Sequence, residues 1–231
     1  MNKDNSQTKE MFDSISNEYD FINNLITFGS HKKWKKEIVE ISKKIKPKKI
    51  LDLATGTADI AIELSALENC EIIGTDISSK MLRIGQGKIE DLNLNEKIIL
   101  EKGDAENLKY KDRTFDVVTI GYGVRNFTNL KNSLKQVYRV LKKDGILIIL
   151  ETSLPSNPII RFFYNIHAKL YVRIVGKIFS NNSNAYDYLE SSAKTFPYGE
   201  DFMKILRDVK FKDIRLKIKL FGASTIYIAK K

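Results

Sequence analysis

The sequence predicts an α/β protein built on one mostly parallel, doubly wound sheet of seven strands that ends in an antiparallel hairpin. Three observations predict it. Short apolar runs of buried-strand type alternate with amphipathic helical stretches between residues 48 and 152, the order of βαβ units. The first of these runs breaks into a small-residue turn, TGTAD, before its helix. The chain then closes on two strand-like runs in succession, 214–222 and 224–231, which read as a hairpin.

Residues 1–10 are polar and expected to fray. From Met11 to Ile45 the pattern is helical, aromatic and basic, and Pro47 stops it. KKILDLA (48–54) is the first strand and IAIELSAL (60–67) its helix. CEIIGTDI (70–77) is the second, followed by the helix SSKMLRIGQGKIEDL (78–92) with Ser78 or Ser79 as N-cap. KIILEKGDA (97–105) and TFDVVTIGYG (114–123) are the third and fourth strands. NLKNSLKQVYRVLKK (129–143) is an amphipathic helix and GILIILET (145–152) the fifth strand. A further helix, 199–213, precedes the hairpin. With 231 residues, one domain spanning 1–231 is expected, carrying an N-terminal helical cap (11–46) and a helical lid insertion (155–197).

The composition, 42% hydrophobic and 29% charged, is that of a globular protein with a proper core. No apolar run reaches the ~18 residues that cross a bilayer, and the start has no secretory h-region, so a cytoplasmic protein is expected. The single cysteine, Cys70, excludes a disulfide framework and a thiolate metal cluster. No metal-ligand spacing is visible. The net charge of +10 suggests a polyanion partner. However, 31 of the 39 basic residues are Lys, beside 30 Ile and 17 Asn, all with AT-rich codons. Genome composition therefore accounts for much of the charge. No base-gripping loop of the N-P-P-Y type follows the fourth strand and no RNA-binding aromatic motif occurs, so nucleic acid is not expected as a partner.

In a doubly wound sheet the ligand lies beyond the carboxyl ends of the strands. The first loop, Asp52-Leu-Ala-Thr-Gly56-Thr-Ala-Asp59, has neither G-x-G-x-x-G nor a phosphate-loop Lys, which disfavours dinucleotides and nucleoside triphosphates. It keeps Gly56 for close backbone approach. The second strand ends on Asp76, placed to accept from a ribose diol. The third ends Gly103-Asp104-Ala105, where an acid meets an adenine amino group. Together these features describe a site for S-adenosylmethionine (SAM). Each has a plainer reading alone, since an Asp ending a strand is commonly a loop or helix cap.

The motifs carry a resemblance. Tyr19-Asp-Phe-Ile-Asn-Asn-Leu-Ile-Thr27, then His31 and Trp34, resembles Y-D-x-[MI]-N-x-x-[LIVM]-S-x-x-x-H-x-x-W. Arg139-Val-Leu-Lys142, Gly145 and Glu151-Thr-Ser153 resemble R-V-L-K-P-G-G-x-L-x-x-L-E-x-S. Gly123-Val-Arg125-Asn126 matches G-x-R-N, and Ala185-Tyr-x-Tyr188-Leu189-x-x-Ser192 matches A-Y-x-Y-L-x-x-S. These signatures are those of the C-methyltransferases of menaquinone and ubiquinone biosynthesis, within the class I SAM-dependent methyltransferases of Rossmann-like fold. The resemblance runs from about Met11 to Lys231. It implies methyl transfer from SAM to a ring carbon of a prenylated quinol, either demethylmenaquinol or the methoxy-benzoquinol of the ubiquinone branch. It also implies that Thr57, Asp76, Asp104 and Ala105 contact SAM. Two departures stand out: Ala58 replaces the usual glycine, and Gly121 stands where some members have Ser.

A ring carbon becomes nucleophilic when the neighbouring hydroxyl ionises. For a phenol of pKa ≈ 10 that costs about 4 kcal/mol at pH 7, and a nearby cation lowers the cost. Arg125 is the candidate cation, Asn126 the candidate orienting group and His31 a candidate base, with Asp20, Glu151 or a relayed water as alternatives. Plainer readings are a packed or capping His31, a surface ion pair for Arg125 and an Asx-turn for Asn126. Ile159, Phe163, Ile166, Leu170, Ile174 and Ile178 form one helical stripe, with Arg161, Lys169, Arg173 and Lys177 beside it and no acid from Thr152 to Tyr186. Over 155–180 this reads as a membrane-surface helix or as a lid over a lipid substrate. A peripheral location at the inner membrane face follows from the first alternative. Ring type, prenyl length and oligomeric state, homo-oligomer included, stay open.

Overall fold

A computed structural model of the chain describes residues 5–16, 19–27, 29–166, 192–193 and 195–231. Seven strands form one sheet: β1 (Lys49–Leu53), β2 (Glu71–Asp76), β3 (Ile98–Lys102), β4 (Phe115–Gly121), β5 (Leu141–Thr152), β6 (Lys212–Lys219) and β7 (Ser224–Lys230). Their order is β3-β2-β1-β4-β5-β7-β6. The pairs from β3 through β5 are parallel, and β7 runs antiparallel to both β5 and β6. Strand order reverses between β1 and β4, so a crevice opens beyond their carboxyl ends.

The strands β1, β2, β4, β5 and β7 are mostly buried on both faces, as in a sheet covered by helices, while β3 and β6 at the edges are largely exposed. Leu51, Leu53, Val118 and Ile120 pack on one side with Leu134 and Val137 of α6 (Leu130–Val140) and with Phe202 and Leu206 of α7 (Glu200–Asp208). Ile50, Ile72, Val117 and Ile148 pack on the other. There they meet Ile38 of α3 (Ser30–Lys43), Leu64 of α4 (Asp59–Leu64) and Ile89 of α5 (Ser79–Asp91). Each such Leu, Ile or Val stabilises the sheet by roughly 1.5–3 kcal/mol through burial. Ser78 is the N-cap of α5; its Oγ accepts from Met81 N at 3.1 Å.

Several boundaries differ from the sequence pattern. The helix read over 199–213 ends at Asp208, and β6 begins at Lys212. Residues 5–10 do not fray but belong to α1 (Asn5–Ser14). The helix is held because Thr8 is buried and Asp13 accepts from the Ser78 hydroxyl. Helix α6 stops at Val140 rather than Lys143. The carbonyls of Arg139 and Val140 accept from Arg113 N (3.0 Å) and Thr114 N (2.7 Å) at the entry to β4, which draws Leu141 into β5. The expected helical stretch 11–45 is divided among α1, α2 (Tyr19–Ile26) and α3, and residues 158–166 are helical. Leu170, Ile174, Ile178, Lys169, Arg173, Lys177, Ala185, Tyr188 and Leu189 lie outside the described residues.

Candidate active site

Beyond the reversal point lies a cleft of about 710 Å³, its open mouth included. Gly56, Asp76, Asp104, Ala105, Gly121, Tyr122 and Asn126 line it, together with Thr8 and Phe12 of α1 and Tyr19 of α2. The sheet supplies the floor and the first two helices close one side.

The β1–α4 loop turns tightly. Gly56 has φ 58° with nothing within 4 Å of a built β-carbon, so its backbone conformation, not lack of space, calls for glycine. Asp76 takes one backbone N–H on each oxygen, from Gly56 at 2.9 Å and Ser78 at 2.8 Å. A carboxylate has about four lone-pair directions, so each oxygen keeps capacity to accept from a vicinal diol in the cleft. Burial raises the Asp76 pKa, against the backbone N–H bonds that lower it. Asp104 accepts from Glu106 N at 2.9 Å. A glycine turn beside two carboxylates on successive strand ends, with Ile77, Met81 and Ala105 as apolar walls, fits an adenosyl group with a ribose diol.

Thr57 is 2% exposed and is not a lining residue; its hydroxyl donates to Asp20 Oδ1 at 2.6 Å. Lys88 of α5 pairs with Asp20 of α2 and, at 2.7 Å, with Asp59 of α4. Lys35 of α3 adds a second cation on Asp59 at 2.5 Å. Four helices thus converge on one ion-pair network behind the loop. Lys88 and Lys35 carry no motif, and nothing in the sequence singles them out.

Ala58 has φ 65° and is fully buried. Its methyl points away from the cleft: a β-carbon built on Gly85 of α5 would stand 3.0 Å from it. Gly85 therefore leaves the room that the extra methyl occupies. A β-carbon at Gly121 would meet Ile60 Cδ1 at 2.3 Å, so serine fits there only if Ile60 turns aside.

At the other end of the cleft, Arg125 is 5% exposed and lies behind the wall formed by Tyr122, Gly123 and Asn126. Its Nη1 donates to Glu151 Oε1 at 2.7 Å and to Tyr122 O at 2.6 Å, and its backbone N donates to Glu151 Oε2 at 3.2 Å. Glu151 is wholly buried and also accepts from Thr152 N at 2.7 Å. Burial is the largest influence on Arg125 and opposes its charge, but the Glu151 carboxylate, Tyr19 and Tyr122 together raise the pKa. Burial raises the Tyr19 phenol, which feels Arg125 more than Glu151. The Tyr122 phenol, directed to Ser224 Oγ at 3.1 Å, feels Glu151 more. The Arg125 guanidinium stands 6.0 Å from the centroid of the Tyr122 ring. Asn126 is 6% exposed, and its Oδ1 has no hydrogen-bond partner among the described residues. A buried amide oxygen on a cleft wall is a costly omission unless a ligand supplies the donor.

His31 is 4% exposed, is not a lining residue, and sits 2.6 Å from Thr27 Oγ1 through Nδ1. Burial, then Lys35, lowers its pKa to about 4. Asp52 is buried beneath the loop, accepts from Thr55 and Thr119 at 2.6 Å each, and is pushed up to about 6 by burial. Burial raises the Cys70 thiol to about 11, as for an inert core residue. Among the described residues no group of three or more His, Cys, Asp or Glu is placed to hold a metal.

Known proteins agree with this architecture. The model of the ubiE/COQ5 methyltransferase family matches residues 1–231. A demethylmenaquinone methyltransferase of Bacteroides fragilis is 35% identical over 230 residues, covering 99% of this chain and 94% of that protein. The ubiquinone/menaquinone biosynthesis C-methyltransferase UbiE of Geotalea uraniireducens is 35% identical over 225 residues, covering 96% and 95%. In fold, a SAM-dependent methyltransferase of Thermotoga maritima superposes with a TM-score of 0.62 at 19% identity, over 96% of this chain and 99% of that one. With the family matched from end to end and relatives at one-third identity over nearly full length, this chain belongs to the ubiE/COQ5 methyltransferase family and is a SAM-dependent methyltransferase.

Proposed function

We propose that the chain methylates demethylmenaquinol on a ring carbon, giving menaquinol and S-adenosylhomocysteine. The observation that carries this reading is the buried Arg125–Glu151 pair behind Asn126, at the cleft end opposite Gly56, Asp76 and Asp104. A ring-carbon acceptor needs its hydroxyl ionised, and a fixed positive end near the developing phenolate lowers that cost.

SAM, when bound, supplies an electrophilic methyl group. Gly56, Asp76, Asp104 and Ala105 hold the donor in this reading, Asp76 through the ribose diol. Thr57 acts one layer back, fixing the loop through Asp20. Asn126 receives a donor from the acceptor through its open Oδ1 and so sets the ring against the methyl group. Arg125 stabilises the phenolate and cannot itself take the proton. Glu151 orients Arg125; it is wholly buried and does not line the cleft, which keeps it from the acceptor's proton. His31, buried on Thr27 with a depressed pKa, serves the packing of the cap. The proton leaves by water at the cleft mouth. Helices α1 to α3 act as the cap over the acceptor, and 155–197 as the lid.

The acceptor's prenyl tail calls for contact with a membrane, and the reading is of a peripheral protein at its inner face. Among the described residues no helix is long and apolar enough to cross a bilayer. Ile159, Phe163 and Ile166 of the basic stripe are exposed at 67%, 64% and 45%. Turnover with labelled SAM, given demethylmenaquinol and the methoxy-benzoquinol separately, tests the function. Label is expected in the naphthoquinol ring; label in the benzoquinol alone moves the assignment to the ubiquinone branch, and label in neither removes it.

A further inference from the structure

Among the described residues, only the turn between β6 and β7 places three successive residues in left-handed backbone. Leu220, Phe221 and Gly222 have φ of 43°, 55° and 104° in succession. Left-handed backbone is disfavoured for the two non-glycine residues. Its effect is to turn the Phe221 ring outward, 75% exposed, beside Leu220 at 43% and Ile218 at 62%.

This tip continues into a second apolar surface. Ser153 Oγ donates to Gly222 O at 2.7 Å, and a β-carbon at Gly222 would stand 2.9 Å from Pro155 Cα. Pro155 O accepts from Arg161 Nε at 2.8 Å, which ties the turn to the helical segment 158–166. That segment exposes Phe162 and Phe163 at 61% and 64%, their rings in edge contact at 5.7 Å. The same turn adjoins the cleft, because Ser224 Oγ meets the hydroxyl of the wall residue Tyr122.

Charge decides what covers it. From Ile214 to Lys231, and from Thr152 to Tyr186, there is no Asp or Glu. Arg215 and Lys217 are exposed on β6. Glu37 of α3 holds Lys217 and Lys219 at 2.8 and 2.5 Å, but exposed Lys33 lies one helical turn before it. Exposed aromatic and aliphatic side chains rimmed by Lys and Arg match an anionic lipid surface.

We propose that Leu220 and Phe221, with Phe162 and Phe163, insert into the acyl boundary of an anionic bilayer and seat the cleft mouth on it. The proposal rests on the reading of a prenylated acceptor, which a membrane would deliver there. It assigns membrane contact to a turn far in sequence from the basic stripe.

The test uses the full chain carrying Phe221→Trp; the one native tryptophan, Trp34, is buried in the core. Emission is expected to shift to the blue on phosphatidylglycerol vesicles, to be quenched by brominated acyl chains, and to stay unchanged on phosphatidylcholine. Leu220→Ser/Phe221→Ser should weaken vesicle binding about tenfold to a hundredfold, with SAM affinity and turnover of a truncated, water-soluble quinol unchanged. Phe221→Asn, which tolerates the left-handed turn, should weaken it as well. Unquenched emission from the introduced indole, on vesicles that bind the protein, would overturn the proposal. So would wild-type vesicle affinity of the double variant, or a lipid-free dimer that shields position 221. A quenched indole in a protein that methylates neither quinol would instead overturn the functional reading and leave the lipid contact standing.

Discussion

At the carboxyl ends of β1, β2 and β3 the cleft wall consists of a glycine turn and two carboxylates that take backbone N–H groups. At the ends of β4 and β5 it is backed by a buried ion pair, Arg125 with Glu151, and faced by an amide whose oxygen is unsatisfied among the described residues. The first half is locally self-sufficient: each acid is a loop or cap acceptor before any ligand arrives. The second half holds a neutralised ion pair and leaves one acceptor, Asn126 Oδ1, without a donor among the described residues.

The largest effect should come from breaking the ion pair. Glu151→Ala leaves Arg125 charged and buried, and a stability loss of about 3–5 kcal/mol is expected by denaturant titration. A loss below about 1 kcal/mol would show that the second half is not built on that pair.

The cofactor half should respond in affinity. Asp76→Ala is expected to weaken SAM by about 1.5–3 kcal/mol, roughly ten- to a hundredfold. Calorimetry decides this: unchanged affinity removes Asp76 from the site. Because Asp76 takes Gly56 N and Ser78 N on separate oxygens, Asp76→Asn keeps only one of the two loop contacts, and thermal unfolding without SAM reads the loop's share of the effect.

His31→Gln asks whether the acceptor half draws on a base outside the pair. A folded pKa near 4 lies below the unfolded value of about 6.5. The unfolded state therefore binds more protons between these pH values, and stability falls as pH drops through the window. The advantage of wild type over His31→Gln should shrink by on the order of 2 kcal/mol from about pH 6.5 to about pH 4. Asp52 has the opposite sign, since its raised pKa of about 6 makes it favour the folded state at low pH and lose that advantage as pH rises from about 4 to 6. The pH profile of kcat should be the same in both proteins. A displaced profile would return His31 to the chemistry.

Ala58→Gly should have the smallest effect. Relief of left-handed backbone favours it by about 1–2 kcal/mol, and loss of a buried methyl opposes it by about 0.8 kcal/mol. Net stability should move by no more than about 1 kcal/mol, with SAM affinity unchanged because the methyl faces Gly85 rather than the cleft. Tighter SAM binding would place the strain in the cofactor half after all.

Legibility follows the same division. Asp76 and Asp104 are readable because a strand end can be located from its apolar run, and both line the cleft beyond their strands, whereas Asp52 near the end of β1 turns beneath the loop. Arg125 is readable from its motif, but its burial against Glu151 depends on the parallel register that sets Gly121 beside Leu150. Spacing of 26 residues carries no trace of that. His31 stands in a motif that suggests reactivity; only the packing of α2 on α3 reveals a buried, neutral imidazole. The Lys88 network joins four helices through side chains with no local pattern. For Ala58, the sequence poses the question of a positive φ, and the direction of the methyl answers it.

In the proposed mechanism the buried pair ionises the acceptor without serving the donor. The most direct measurement is the pH dependence of kcat for Arg125→Gln/Glu151→Gln, which removes both charges and leaves neither unpaired. The double variant should have a kcat lower by roughly 10²–10³-fold, a rising limb moved to higher pH, and unchanged SAM affinity. A double variant with wild-type kcat and limb, or one whose only defect is weaker SAM binding, would contradict it.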